Sequence, residues 1–174
     1  MFQTLWNHYD DLPRNQRLPY TTEPASQHQH RQNLLEKKDQ DLKFFWKDKY
    51  EQLSLNIWYE LTRNDSNVFF DVGAHTGIYS IIGNLNKKIN TIISLEPYFI
   101  NYTRMLSNFK LNDVSLDNSF LVSASDSVGD AKFMTRTNIK QHTSGGRLEE
   151  GGNHTVKKVK LDDFNLQDKK VGCI

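Results

Sequence analysis

Apolar and polar positions along the chain fall into two patterns, helical spacing and short continuous apolar runs. From Gln32 to Arg63, Leu34, Leu35, Leu42, Phe45, Trp46, Leu53, Ile57 and Leu61 recur at three-, four- and seven-residue steps among Lys, Asp and Glu. That spacing predicts two helices, the second around Tyr50 to Arg63, covering one face of a sheet. Asn64-Asp65-Ser66-Asn67 is a turn cluster, and Val68-Phe69-Phe70 beyond it is a short apolar run typical of a buried strand. Ile78, Ile81, Ile82 and Leu85 return to helical spacing. A second strand is expected from Ile89 to Leu95, ending at Glu96-Pro97, then a helix to about Lys110 with Tyr98, Tyr102, Met105 and Phe109 on one face. Leu111-Asn112-Asp113 ends it. Phe120 to Ala124 reads as a third parallel strand, Ala131 to Thr135 as a short added strand and Thr155 to Leu161 as another. Strands alternating with helices place the chain in the α/β class.

The N-terminal stretch does not share this pattern. Met1 to about Gln40 is polar, with Pro13, Pro19 and Pro24 and a Gln/His tract from Gln27 to Gln32. Residues 1–63 therefore form a polar and helical extension, and residues 64–174 the sheet domain. At 174 residues there is room for one domain with a real core. The hydrophobic fraction of 37% and mean hydropathy of −0.68 are low for such a domain. Lys plus Arg number 22 against 21 acids, a balance that gives no reason to expect nucleic acid or an anionic membrane as partner. The single Cys173 cannot form an internal disulfide and fits a reducing cytoplasm. No segment approaches the length of a membrane span. His28 and His30 stand without a Cys or further His nearby, so no metal site is expected.

Chemistry concentrates where the first strand meets the following helix. Asp71-Val72-Gly73-Ala74-His75-Thr76-Gly77 puts an acid at the strand end and glycines at both ends of a turn. Glycine permits the sharp turn and lets a ligand approach bare backbone, and the helix start offers unpaired N–H groups. A dinucleotide fingerprint needs G-x-G-x-x-G, but Ala74 and His75 follow Gly73, so the middle glycine is missing. An acid two residues before the first glycine suits a cationic ligand better than a phosphate. S-adenosylmethionine, with a sulfonium, an ammonium and no phosphate, fits better than NAD. Glu96 lies 19 residues after Gly77. At the tip of the neighbouring strand its carboxylate could accept both ribose hydroxyls.

Taken together, Asp71 to Gly77, Leu95-Glu96-Pro97, Leu111-Asn112, Ala124-Ser125-Asp126 with Gly129, and Val159 to Phe164 resemble the FkbM family of S-adenosylmethionine-dependent methyltransferases. The likeness spans Val68 to Ile174. It implies a Rossmann-like class I methyltransferase sheet and O-methylation of a small-molecule acceptor, a glycan or natural-product hydroxyl. It further implies a cofactor site of Asp71, Gly73, Ala74, His75, Gly77, Glu96, Pro97, Ser123 and Ala124, with Asp71 on the methionine moiety and Ser123 and Ala124 near the adenine. No catalytic base is designated. His142 sits in the glycine-rich loop from Asn138 to Asn153, which reads as a flexible connector or a substrate lid, yet a lone loop histidine is more often solvated.

The final residues Val171-Gly172-Cys173-Ile174 look like the start of a further buried parallel strand, beyond which the family pattern continues and this sequence does not. The expectation is a sheet incomplete at its C-terminus, with Val68 to Phe70 on an exposed apolar edge. Two rivals remain: an NAD-type oxidoreductase, and a catalytically incompetent fragment that serves only as a binding domain.

Overall fold

The computed structural model describes residues 51–63, 68–85, 91–135, 144–167 and 169–174. In chain order it holds α1 (Gln52–Arg63), β1 (Val68–Val72), α2 (Ile78–Asn84), β2 (Thr91–Leu95), α3 (Phe99–Leu111), β3 (Ser119–Phe120) and β4 (Ser123–Ala124). Then come β5 (Gly129–Met134), β6 (Arg147–Leu148), β7 (His154–Val159), a 3-10 turn at Leu161–Asp163, and β8 (Val171–Cys173). The expected first helix, His28, His30 and His142 all lie outside the described residues.

Two four-stranded sheets form, an α/β arrangement. The first has the order β3-β2-β1-β8 and is parallel throughout, with Phe70 opposite Ile93 and Leu95 opposite Phe120. The second has the order β4-β7-β5-β6, with β4 parallel to β7 and both β7 and β6 antiparallel to β5. Parallel strands are normally buried on both faces, and β1 shows why its sequence is apolar without alternation. Phe69 meets Trp58 of α1 edge-on at 5.9 Å on one face, while Phe70 meets Phe164 at 5.6 Å on the other. Val68, Phe70, Ile93 and Leu95 make one core, and Ala74, Ile81, Met105 and Phe109 join α2 to α3 in a second.

Four sequence expectations change here. The run from Phe120 to Ala124 is not one strand: Ser119–Phe120 pairs with β2, and Ser123–Ala124 pairs with β7 in the other sheet. Long-range pairing with Lys158 and Val159 overrides the local apolar run. On α1, Leu53, Ile57 and Leu61 are exposed, and Leu55, Trp58 and Thr62 are buried. Trp58 decides the rotation: its indole N–H donates to the carbonyl of Tyr79 at 2.7 Å, and its ring sits against Gly83, where a Cβ would be 3.0 Å from Nε1. The edge of β1 is covered, because Val68 N–H donates to the Lys170 carbonyl at 2.8 Å and β8 lies alongside. Among the described residues β8 is then the outer strand of this sheet, and Val171 in it is exposed. Lastly, the segment read as a flexible connector or a substrate lid is held against β5 from Ser144 onward. Glu149 N–H donates to the Lys132 carbonyl, and Gly146 and Gly152 lie so close to Phe133 that a Cβ on either would collide with it.

Among the described residues, no helix is long and apolar enough to cross a membrane.

Candidate functional site

The turn after β1 is built by hydrogen bonds that leave its inner side open. Gly73 and Ala74 N–H both donate to the Leu95 carbonyl, at 2.8 and 3.0 Å, tying the turn to the end of β2. Gly77 N–H closes it onto the Ala74 carbonyl at 2.7 Å. Three residues of the turn are left-handed: Gly73 (φ 75°), His75 (φ 52°) and Gly77 (φ 85°). The conformation is free for glycine and costs a side-chain-bearing residue about 1–2 kcal/mol. His75 is held in it by Glu96, whose Oε2 accepts the His75 N–H at 2.8 Å. The other oxygen, Oε1, accepts the N–H of Tyr98 at 2.8 Å. Glu96 thereby fastens the glycine turn to the start of α3.

Asp71 is fixed from the opposite side. Its Oδ2 accepts both the backbone N–H of Ser80 at 3.0 Å and the Ser80 hydroxyl at 2.6 Å. The Ser94 hydroxyl lies 2.6 Å from Ser80 Oγ and completes a buried polar chain across β1 and β2. Both carboxyls are buried, and burial is the main reason both titrate high. Asp71 is raised by it despite the Ser80 donors. Glu96 is pushed up to about 7, by burial first and by the nearby Asp71 charge as well, against the pull of the Tyr98 and His75 N–H groups.

These groups face a cleft of about 390 Å³ between the C-terminal ends of β1 and β2 and the β5–β6 pair of the second sheet. Ligands of open parallel sheets bind at such strand ends. Of the nine residues expected at a cofactor site, Asp71, Gly73, Ala74, His75, Glu96, Pro97, Ser123 and Ala124 line it. Gly77 does not. A Cβ there would stand 2.5 Å from Phe109 Cε1 and 2.8 Å from Met105 Cγ, so this glycine serves the close packing of the turn on α3. Sequence reasoning missed Tyr79, Tyr98, Asn101 and Phe133, and it read the segment from Ser144 to Leu148, which also lines the cleft, only as part of a connector or substrate lid. Tyr98 was legible as the residue behind the strand-end Glu96-Pro97. Arg147 and Leu148 were not, since their place depends on pairing with Met134 and Phe133.

The Tyr98 ring packs 5.3 Å from His154, and its hydroxyl is buried without a hydrogen-bond partner among the described residues. Among those same residues no group of three His, Cys, Asp or Glu side chains could hold a metal ion. No protein-family model matches the chain, and no curated protein or solved structure matches it either.

Proposed function

We propose that the chain is an S-adenosylmethionine-binding domain of a Rossmann-like, FkbM-type O-methyltransferase. The observation that carries this is the pairing of two buried carboxyls, Asp71 and Glu96, at the ends of adjacent parallel strands on one cleft, both titrating high. Buried acids with raised titration favour a cationic ligand, which would stabilise their charged forms. The remaining residues fit that ligand. Gly73 lines the cleft with nothing within 4 Å of where a Cβ would be, so bare backbone is open to close approach. Ser123 and Ala124 offer a small-residue wall for a flat base, and the cleft volume is in the range of ligand sites, about 300–1,000 Å³.

Glu96 would hold the ribose: its carboxylate already accepts the N–H groups of His75 and Tyr98 and a hydrogen bond from the Asn101 side chain, and its remaining acceptor capacity would take a hydroxyl. Asp71 would face the cationic methionine end with its carboxylate, Oδ2 remaining on Ser80. When bound, the sulfonium supplies a methyl group already activated for displacement by an acceptor hydroxyl. The chain's own part is to position the two partners and keep them in line. Calorimetric titration of S-adenosylmethionine and S-adenosylhomocysteine, with Glu96→Ala as control and NAD as competitor, tests the assignment. Micromolar binding abolished in the variant supports it. Preference for NAD, or no heat from either nucleoside, would sink it.

A further inference from the structure

The cleft has a second charged pole that the cofactor assignment does not use. Its β5–β6 wall carries Arg147, between Gly145-Gly146 and Leu148. This wall is rigidly seated. Arg147 and Leu148 pair with Met134 and Phe133, and Gly146 and Gly152 bring the chain directly onto Phe133. The guanidinium neutralises neither acid: burial, hydrogen bonds and the Asp71 charge on Glu96 account for both shifts, and no cation contributes. Its partner is Glu149, whose Oε2 meets Nη2 at 2.6 Å, with the Arg147 side chain mostly and the Glu149 side chain partly in solvent. Such an exposed pair is weak and readily exchanged, and the guanidinium fork keeps further donors for a second oxyanion.

Resting on the methyltransferase assignment, we propose that the acceptor carries an anionic group beside its hydroxyl, a carboxylate or phosphate on a small sugar-like molecule, and that Arg147 receives it. Guanidinium forks match such oxyanions in geometry as well as charge. Arg147 then sets which hydroxyl compounds enter, and Glu149 competes with them for the fork.

The test is a calorimetric titration of glucuronate, glucose 6-phosphate and uncharged glucose into the chain saturated with S-adenosylhomocysteine. Expected is binding of the two anions and not of glucose. Arg147→Ala should weaken the anions about tenfold or more while leaving S-adenosylhomocysteine within about twofold. Glu149→Gln should tighten the anions about twofold or more. Glucose binding as well as the anions, or Arg147→Ala binding them unchanged, overturns the proposal. A selective loss of S-adenosylhomocysteine affinity in Arg147→Ala also overturns it, assigning the guanidinium to the amino-acid end of the nucleoside while the methyltransferase assignment stands. No S-adenosylhomocysteine binding in the unaltered chain defeats the assignment itself, and the acceptor proposal with it.

Discussion

Gly73 and Gly77 bound the same turn and share a left-handed backbone, yet replacing each by alanine should have different consequences. At Gly77 (φ 85°) alanine incurs the left-handed strain, about 1–2 kcal/mol. It also drives a methyl group to 2.5 Å from Phe109 Cε1 and 2.8 Å from Met105 Cγ, both fully buried. Overpacking of that kind costs about 1–3 kcal/mol. The sum is about 2–5 kcal/mol, a large part of the roughly 5–15 kcal/mol by which domains are stable. At Gly73 (φ 75°) only the strain applies, because the added methyl would meet nothing within 4 Å. In urea, with a slope of about 1–3 kcal/mol per molar, Gly77→Ala should lower the midpoint by about 1–2 M and Gly73→Ala by less than half as much. Binding should rank the other way. Gly73→Ala places its methyl at the cleft wall and should weaken S-adenosylhomocysteine about tenfold, whereas Gly77→Ala, measured where it is still folded, should bind nearly as well as the parent. Equal loss of stability in the two variants would refute the assignment of Gly77 to packing. Equal loss of affinity would refute the assignment of Gly73 to the ligand.

Titration of Glu96 gives a stability prediction with a definite sign. Its ordinary value of 4.5 is raised to about 7 in the folded chain, so between those pH values the folded state keeps a proton that the unfolded state loses. This contribution is fully present below about pH 4.5 and is lost as pH rises through 7, about 3 kcal/mol in all, with Asp71 acting in the same direction. Urea midpoints at pH 5 and 7.5 should show the fall, and Glu96→Gln should flatten it; a slope that survives the substitution unchanged contradicts the account. Binding of the sulfonium nucleoside near pH 7 should release up to about half a proton, and of neutral-sulfur S-adenosylhomocysteine less, as calorimetry in buffers of different ionisation enthalpy would report. Ser80→Ala removes the 2.6 Å donor to buried Asp71 and the partner of Ser94, and should cost about 1–3 kcal/mol in denaturation.

What could be read from the sequence was what local chemistry determines. Val68 to Phe70 announced a buried strand, and of the acid-glycine turn and Glu96, expected together, Asp71, Gly73, Ala74, His75 and Glu96 do line one cleft while Gly77 does not. What escaped depends on contacts remote in sequence. Phe120 to Ala124 has the composition of a single strand, and only its two different neighbours, β2 and β7, divide it. Gly77 looked like part of the ligand turn because Phe109 and Met105, the atoms that require it, come from another helix. The Leu53, Ile57 and Leu61 stripe is as regular as the buried one, and the choice between them follows from Trp58 reaching Tyr79 and Phe69.

The pairing of β8 with β1 also bears on the order in which the chain can assemble. Val68 and Val171 are neighbours in the sheet although nearly the whole described chain separates them in sequence. During synthesis, β1, α2, β2, α3 and β3 can associate as they emerge, each packing on its predecessor. Among the described residues, however, the outer side of β1 finds its strand partner only in residues 171–173, and the loop that must then close costs entropy that grows with the logarithm of its length. Contacts of such high sequence separation slow folding. Among the described strands, β8 is therefore the last that can dock, and it does so against the first of them.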